Sequence, residues 1–141
     1  MSLADIINEQ NTLAIKNKDE DAKGIFSILK NKIMLAKIEK RAKGEELTDA
    51  DVVAIIQKTV KELDEEKINF EKANRQDKVN SLEKQKSLLT VFLPKQMSEE
   101  EIKQIILSLE DKSVGAVMKH FRENYSGKCD MSKVSSIARQ I

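Results

Sequence analysis

Chemistry has few places to reside in this 141-residue sequence, because histidine and cysteine each occur once, as His120 and Cys129. A histidine acting as general base needs a reacting group within hydrogen-bond reach, and a cysteine nucleophile needs a base held in place by a third group. No such third group is spaced to orient these two. His120 falls on the side of its predicted helix opposite the apolar stripe and reads as a surface histidine, while Cys129 falls in a turn. Both read as incidental. A single cysteine excludes an internal disulfide and a multi-thiolate metal site, and it suits a reducing compartment. Glu99, Glu100 and Glu101 invite a metal reading, but consecutive helical residues point apart, and helix capping accounts for acids at that position. No G-x-S-x-G, phosphate-binding glycine loop, H-E-x-x-H or serine-glycine-rich stretch is present. No catalytic residue, metal ion or cofactor is predicted.

Cations are the other candidate. The whole chain is nearly neutral, with 25 Lys and Arg against 24 Asp and Glu, so total charge names no polyanionic partner. Its distribution is uneven. Residues 112–141 hold six bases (Lys112, Lys119, Arg122, Lys128, Lys133, Arg139) and two acids (Glu123, Asp130), a net of +4, which leaves −3 for the remainder. With Val114, Met118, Phe121 and Tyr125 turned inward, Lys119 and Arg122 stand side by side on one flank, a placement suited to two neighbouring phosphates. Lys128 can reach the same surface. The same residues also fit a plain solubilising role, and the residues alone leave both readings open. Phe121 and Tyr125 sit at core spacing, so shape and phosphate recognition are favoured over base stacking. The turn before Asp130 can offer helix-terminal N–H groups to a phosphate, unless Asp130 takes them as a cap.

The elements that must position these residues are helices. Four glycines and one proline in a chain that is 35% charged and 40% hydrophobic favour long helices over sheet. Leu3, Ile6, Ile7, Leu13 and Ala14 mark a first helix ending near Asn17. Asp19, Glu20 and Asp21 open a second, with Gly44 as its stop. Phe26, Leu29, Ile33 and Ala36 recur along it, and Ile25, Ile28 and Leu35 widen the apolar face enough to touch two neighbours. Thr48 with Asp51 starts a third helix that reaches Ala73. Residues 74–77 are either a turn or a polar continuation, since no glycine or proline breaks them. Val79, Leu82, Leu89 and Leu93 carry a fourth helix to Pro94. Ser98 with Glu101 caps a fifth, and two more short helices surround the Ser126-Gly127-Lys128 turn. The expected fold class is all-α: a long-helix N-terminal bundle domain over residues 1–94 and a small three-helix tail domain over 95–141. The residues from Met1 to Gln10 read as neither a secretory signal nor a transit peptide, and no apolar run reaches membrane-spanning length.

Three segments carry a resemblance: Leu47-Thr48-Asp49-Ala50-Asp51-Val52, then Phe70-Glu71-Lys72-Ala73-Asn74-Arg75-Gln76-Asp77, then Phe92-Leu93-Pro94-Lys95-Gln96-Met97-Ser98-Glu99-Glu100-Glu101-Ile102. In order and spacing they resemble the YqeY family over nearly the whole chain. The resemblance implies long N-terminal helices and a small helical tail similar to that of GatB, the B subunit of tRNA-dependent amidotransferases. Val114-Gly115-Ala116-Val117-Met118-Lys119 resembles the glycine-x-valine-methionine motif shared with that subunit, and Gly127-Lys128 before Asp130 resembles its glycine-lysine turn. Free-standing members usually carry a glycine where Met131 stands and another where Lys119 stands, so glycine-dependent backbone contacts are not expected at those two positions.

The resemblance implies contact between the tail and the folded corner of tRNA; the motif glycines Gly115 and Gly127, together with Lys119, Arg122, Lys128 and Lys133 from the charge pattern, are the expected RNA-binding residues. It also implies an association with glutamine-dependent carbon–nitrogen ligase activity, whose amide transfer and phosphoryl activation belong to a catalytic domain with no counterpart here. The expected protein is a cytoplasmic, non-catalytic module of translation that binds tRNA or another structured RNA, with room for a translation-related protein partner and none for a membrane. The alternative is a helical protein–protein adaptor that binds no RNA.

Overall fold

The computed structural model describes residues 2–141. Among these the chain is all-α, with seven helices and no strand. They run α1 (Leu3–Lys16), α2 (Glu20–Ala42), α3 (Asp49–Lys72), α4 (Gln76–Thr90), α5 (Glu99–Ser108), α6 (Val114–Asn124) and α7 (Met131–Gln140). They group into two compact units, one reaching to Phe92 and one spanning Leu93–Ile141.

In the first unit α2 contacts α1, α3 and α4. Its start is fixed by Asp19, whose carboxylate accepts the Ala22 N–H at 3.2 Å, with Glu20 and Asp21 complementing the positive end of the helix dipole. Ala22, Ile25, Phe26, Leu29 and Ile33 form its buried stripe. Ile28 and Leu35 do not widen that stripe, contrary to the expectation from patterning; both remain half exposed. At 100° per residue they lie 100° and 120° round the helix from Leu29, on one flank outside the buried stripe. The two polar side chains in this core are satisfied. Asn11 accepts a bond from Ser27 Oγ at 3.1 Å, and Thr59 Oγ1 donates to the Ile55 carbonyl at 2.8 Å while accepting from Lys32 Nζ at 3.1 Å.

Two turns use no glycine. Asn74, at φ 55°, adopts the left-handed conformation that asparagine tolerates better than most residues, so residues 73–75 form a turn between α3 and α4. Lys18, also at φ 55°, does the same between α1 and α2. The expected run of α4 to Pro94 is too long, because the helix ends at Thr90. Pro94 has no N–H to give the Thr90 carbonyl, and the last turn tightens instead, with Phe92 N–H donating to Leu89 O at 3.1 Å. Phe92 then packs edge-on against Phe26, ring centroids 6.2 Å apart.

The second unit is built on α5, α6 and α7. Ser98 and Glu101 form the expected capping box at the start of α5. Ile102, Ile106, Val117, Phe121, Cys129, Val134 and Ala138 are buried together, with Met97, Met118 and Tyr125 packed around them. Phe121 is the largest fully buried side chain. Its truncation to alanine is expected to cost about 3–5 kcal/mol. Urea unfolding should show that loss, and hydrogen exchange should place it in α5–α7; a loss below about 1 kcal/mol would contradict this packing.

Ion pairs tie α3 and α4 together, with Lys67 to Glu83 at 2.6 Å and Lys86 to Asp64 at 3.0 Å. The hydrogen bond from Lys67 holds the Glu83 carboxyl below its usual range. A depressed carboxylate stabilises the fold above the unfolded pKa, and that stabilisation fades as pH falls through the folded one. The thermal midpoint should therefore drop between about pH 6 and about pH 3, and drop less in Lys67→Met. An equal drop in both proteins would show that the pair contributes nothing.

Candidate nucleic-acid interface

Burial of Val117 and Phe121 sets the rotation of α6. Gly115, Lys119 and Arg122, at i, i+4 and i+7, then share its outward side, and all three are exposed. A methyl group built on Gly115 would meet nothing within 4 Å. Packing therefore does not require glycine there, and the first turn of α6 presents bare backbone beside Lys119. Gly127 has a structural reason of its own. It sits at φ 78°, a left-handed conformation that reverses the chain between α6 and α7. Its carbonyl accepts from Gln96 Nε2 at 2.9 Å, and the Lys128 carbonyl accepts the Met97 N–H at 2.8 Å. The turn is thus strapped to the segment before α5, while the Lys128 side chain remains exposed.

Asp130 caps α7, accepting the Ser132 N–H at 2.9 Å. Of the two readings of this turn, the cap is the one realised. Lys133 follows in the first turn of α7 and is exposed. A lysine there faces the positive end of the helix dipole, an arrangement that costs a few tenths of a kcal/mol unless an anion is near. First-turn acids are present in α1 to α5 but absent from α6 and α7.

Among the described residues ion pairs form in the first unit only, and part of its cations take part in them. In the first, Lys32, Lys40, Lys67, Arg75, Lys84 and Lys86 each reach a carboxylate within 4 Å. Among the described residues of the second, no ion pair forms, and Lys119, Arg122, Lys128, Lys133 and Arg139 are all exposed. Lys112 gives its ammonium to the Leu109 carbonyl at 2.7 Å. Sequence patterning did not single out a further set, Lys23, Lys30, Lys37 and Arg41, exposed along α2 with no ion pair. Its signal was the repeat of seven residues.

A family model described as Yqey-like protein matches residues 4–141. The chain belongs to the YqeY family. Among curated proteins none matches the sequence.

The side chains of this YqeY protein that invite a catalytic reading are built into its packing. His120 is half-buried, more enclosed than its position opposite the apolar stripe implies, because its ring leans on Phe121 and Tyr125 at 6.0 and 5.9 Å between centroids. Asn124 Nδ2 lies 3.3 Å from its Nδ1. Cys129 is a core residue, 4% exposed. Its thiol lies 3.8 Å from the Tyr125 carbonyl, and burial, followed by the charge of Asp130, raises its pKa. Two shallow grooves, of about 220 and 420 Å³, lie at the α2–α3 junction around Leu47. Their linings include Lys40 and Asp51 in one and Arg41 and Glu46 in the other. Among the described residues no three His, Cys, Asp or Glu side chains converge on a metal-sized site, and no helix is long and apolar enough to cross a membrane.

Glycine at position 115 can be tested apart from packing. Gly115→Ala should leave stability unchanged or raise it by up to about 1 kcal/mol, because the added methyl meets open space in a helical position. A thermal midpoint clearly below that of the parent would show a packing role.

Proposed function

We propose that this YqeY protein is a non-catalytic tRNA-binding accessory module of translation, acting in the cytoplasm and contacting the folded RNA through α6, the Gly127 turn and the start of α7. One observation carries the reading: the cations of the tail stand exposed without ion pairs, whereas Lys67 of α3 and Lys84 and Lys86 of α4 are each held by a carboxylate. Unpaired lysines and arginines are free to displace the counterions of a polyanion, and that release drives phosphate binding.

Lys119 and Arg122, one turn apart, take neighbouring phosphates, and Arg122 offers a planar fork where Lys119 offers a point charge. Gly115 lets a sugar-phosphate strand approach the first turn of α6 without meeting a side chain. Lys128 and Lys133 extend the contact around the turn and into α7. Asp130, committed as a cap, holds α7 in place and contributes no anion site. Phe121 and Tyr125 are engaged in the core, so recognition rests on backbone shape and charge rather than on base stacking. In this reading the family's association with glutamine-dependent carbon–nitrogen ligase chemistry means that the module holds the tRNA while another protein makes the bond.

Lys119→Glu combined with Arg122→Glu should weaken binding of unmodified tRNA by about ten-fold or more, and should flatten the logarithmic dependence of affinity on salt by about two units. Helix content should not change, since both side chains are exposed. Mobility-shift titrations at several salt concentrations measure both quantities. Unchanged affinity, or a complex indifferent to salt, would remove the tail as the RNA contact.

A further inference from the structure

The face of α2 turned away from its core is unusual for a helix in so charged a chain. Ile28, Met34, Leu35 and Ile38 lie along it, each 49–58% exposed. By helix geometry they fall within one band about 15 Å long, with the neutral Asn31 among them. One edge of that band is lined by Lys23, Lys30, Lys37 and Arg41, seven, seven and four residues apart, all exposed and none in an ion pair. Asp5 of α1 senses Lys37 through space without pairing, and at the C-terminal end of the row Glu46 and Glu45, the latter paired with Lys40 at 3.3 Å, line a groove with Lys37 and Arg41. The opposite edge carries Asp21, Lys32 and Glu39. Lys32 there is committed to Glu62 at 3.0 Å and Asp21 to Lys84 at 3.8 Å. The face is therefore apolar in the middle and cationic on one side only.

We propose that this face of α2 is a docking site for an acidic amphipathic helix of a partner protein. An apolar seam asks for another apolar seam, with anchors at i, i+3, i+4 and i+7. The one-sided cationic edge asks for carboxylates on one flank of the incoming helix and so fixes its direction. A flat anionic lipid surface would press on both edges, including Asp21 and Glu39, and gains less from an arrangement charged on one side. A bare polyanion would lay phosphates against Met34 and Ile38. A second copy packed antiparallel about a two-fold axis would set one cationic row against the other. Packed parallel, it would meet an edge whose acids, apart from Glu39, are already spent on ion pairs within the chain. This site is separate from the RNA contact proposed for the tail, and each stands without the other.

The test uses the full chain, isotopically labelled, and two synthetic helical peptides with identical leucine seams, one carrying glutamates on a single flank and the other lysines. The glutamate peptide should bind saturably, with NMR shifts confined to residues 27–42 of α2 and its neighbours. Lys30→Glu with Lys37→Glu should weaken it by about ten-fold or more and should create binding of the lysine peptide. Leu35→Gln with Ile38→Gln should weaken both without loss of fold, because those side chains are already in water. The proposal is overturned if the two peptides bind alike or the shifts fall elsewhere. It is equally overturned if these substitutions abolish a monomer–dimer equilibrium, adsorption to phosphatidylglycerol vesicles or tRNA binding while leaving the peptide unaffected. Peptide binding that survives Lys119→Glu with Arg122→Glu separates this site from the tail.

Discussion

The tail depends on the burial of Phe121. In a unit of fewer than about fifty residues the apolar core is thin, and one aromatic ring represents a large share of what holds it closed. With Val117 and Phe121 inward, α6 has a single rotation about its axis, and that rotation decides that Gly115, Lys119 and Arg122 face outward together. The same ring is in contact with Tyr125, centroids 5.4 Å apart, and Tyr125 leads directly into the Gly127 turn. The position of Lys128 therefore follows from the core as well. Two backbone-level straps, Gln96 to Gly127 and Met97 to Lys128, fasten that turn from outside. Cationic side chains are long and mobile, but the backbone that carries them is fixed at both ends.

The two units handle charge differently, and the reason lies in where the acids are. Exposed ion pairs contribute little stability each, so the pairs of α2, α3 and α4 matter less as glue than as commitments. A lysine held by a carboxylate is neutralised toward any third party. In α6 and α7 only Glu123 and Asp130 are available as acids, and Asp130 is occupied with the N-terminus of α7. The cations there are left to water. Availability of this kind is a property of composition made definite by capping.

The starts of α2, α3 and α5 were legible in the sequence because their chemistry is local. Asp19, Thr48 and Ser98 each satisfy a backbone donor three residues ahead, and the pattern is complete within four residues. The Asn74 turn was not settled by sequence, since a left-handed residue without glycine or proline leaves no unambiguous mark. Faces were harder still. Apolar residues on α2 fit a two-sided burial as well as a one-sided one, and only the packing of α1, α3 and α4 shows that Ile28 and Leu35 stay outside. His120 was misplaced for a related reason: periodicity locates a residue on its own helix, whereas its enclosure comes from Phe121 and Tyr125 beside it; Cys129 lies in the expected turn, and only the packing shows it buried. The outward placement of Lys119 and Arg122 was legible, because a strong inward stripe on a short helix leaves its cations one direction to go.

Two outward faces then differ in what they can recognise. On α6 a bare glycine stands beside cations, and the absent side chain is as informative as those present, since a packed helix gains nothing from glycine there and its backbone loses entropy. On α2 the cations border an apolar seam, and that seam would be wasted on an anion whose groups carry no hydrocarbon. A phosphate backbone and an amphipathic helix are both negatively charged, so charge alone would not separate them. What separates them is the surface beside the charge: open backbone admits a strand of sugar and phosphate, whereas exposed isoleucine, leucine and methionine release water only against another apolar surface. On the two proposals made above, lysines and arginines alike in type would meet different partners because of their neighbours, and each neighbour is fixed by which side of its helix the core has claimed.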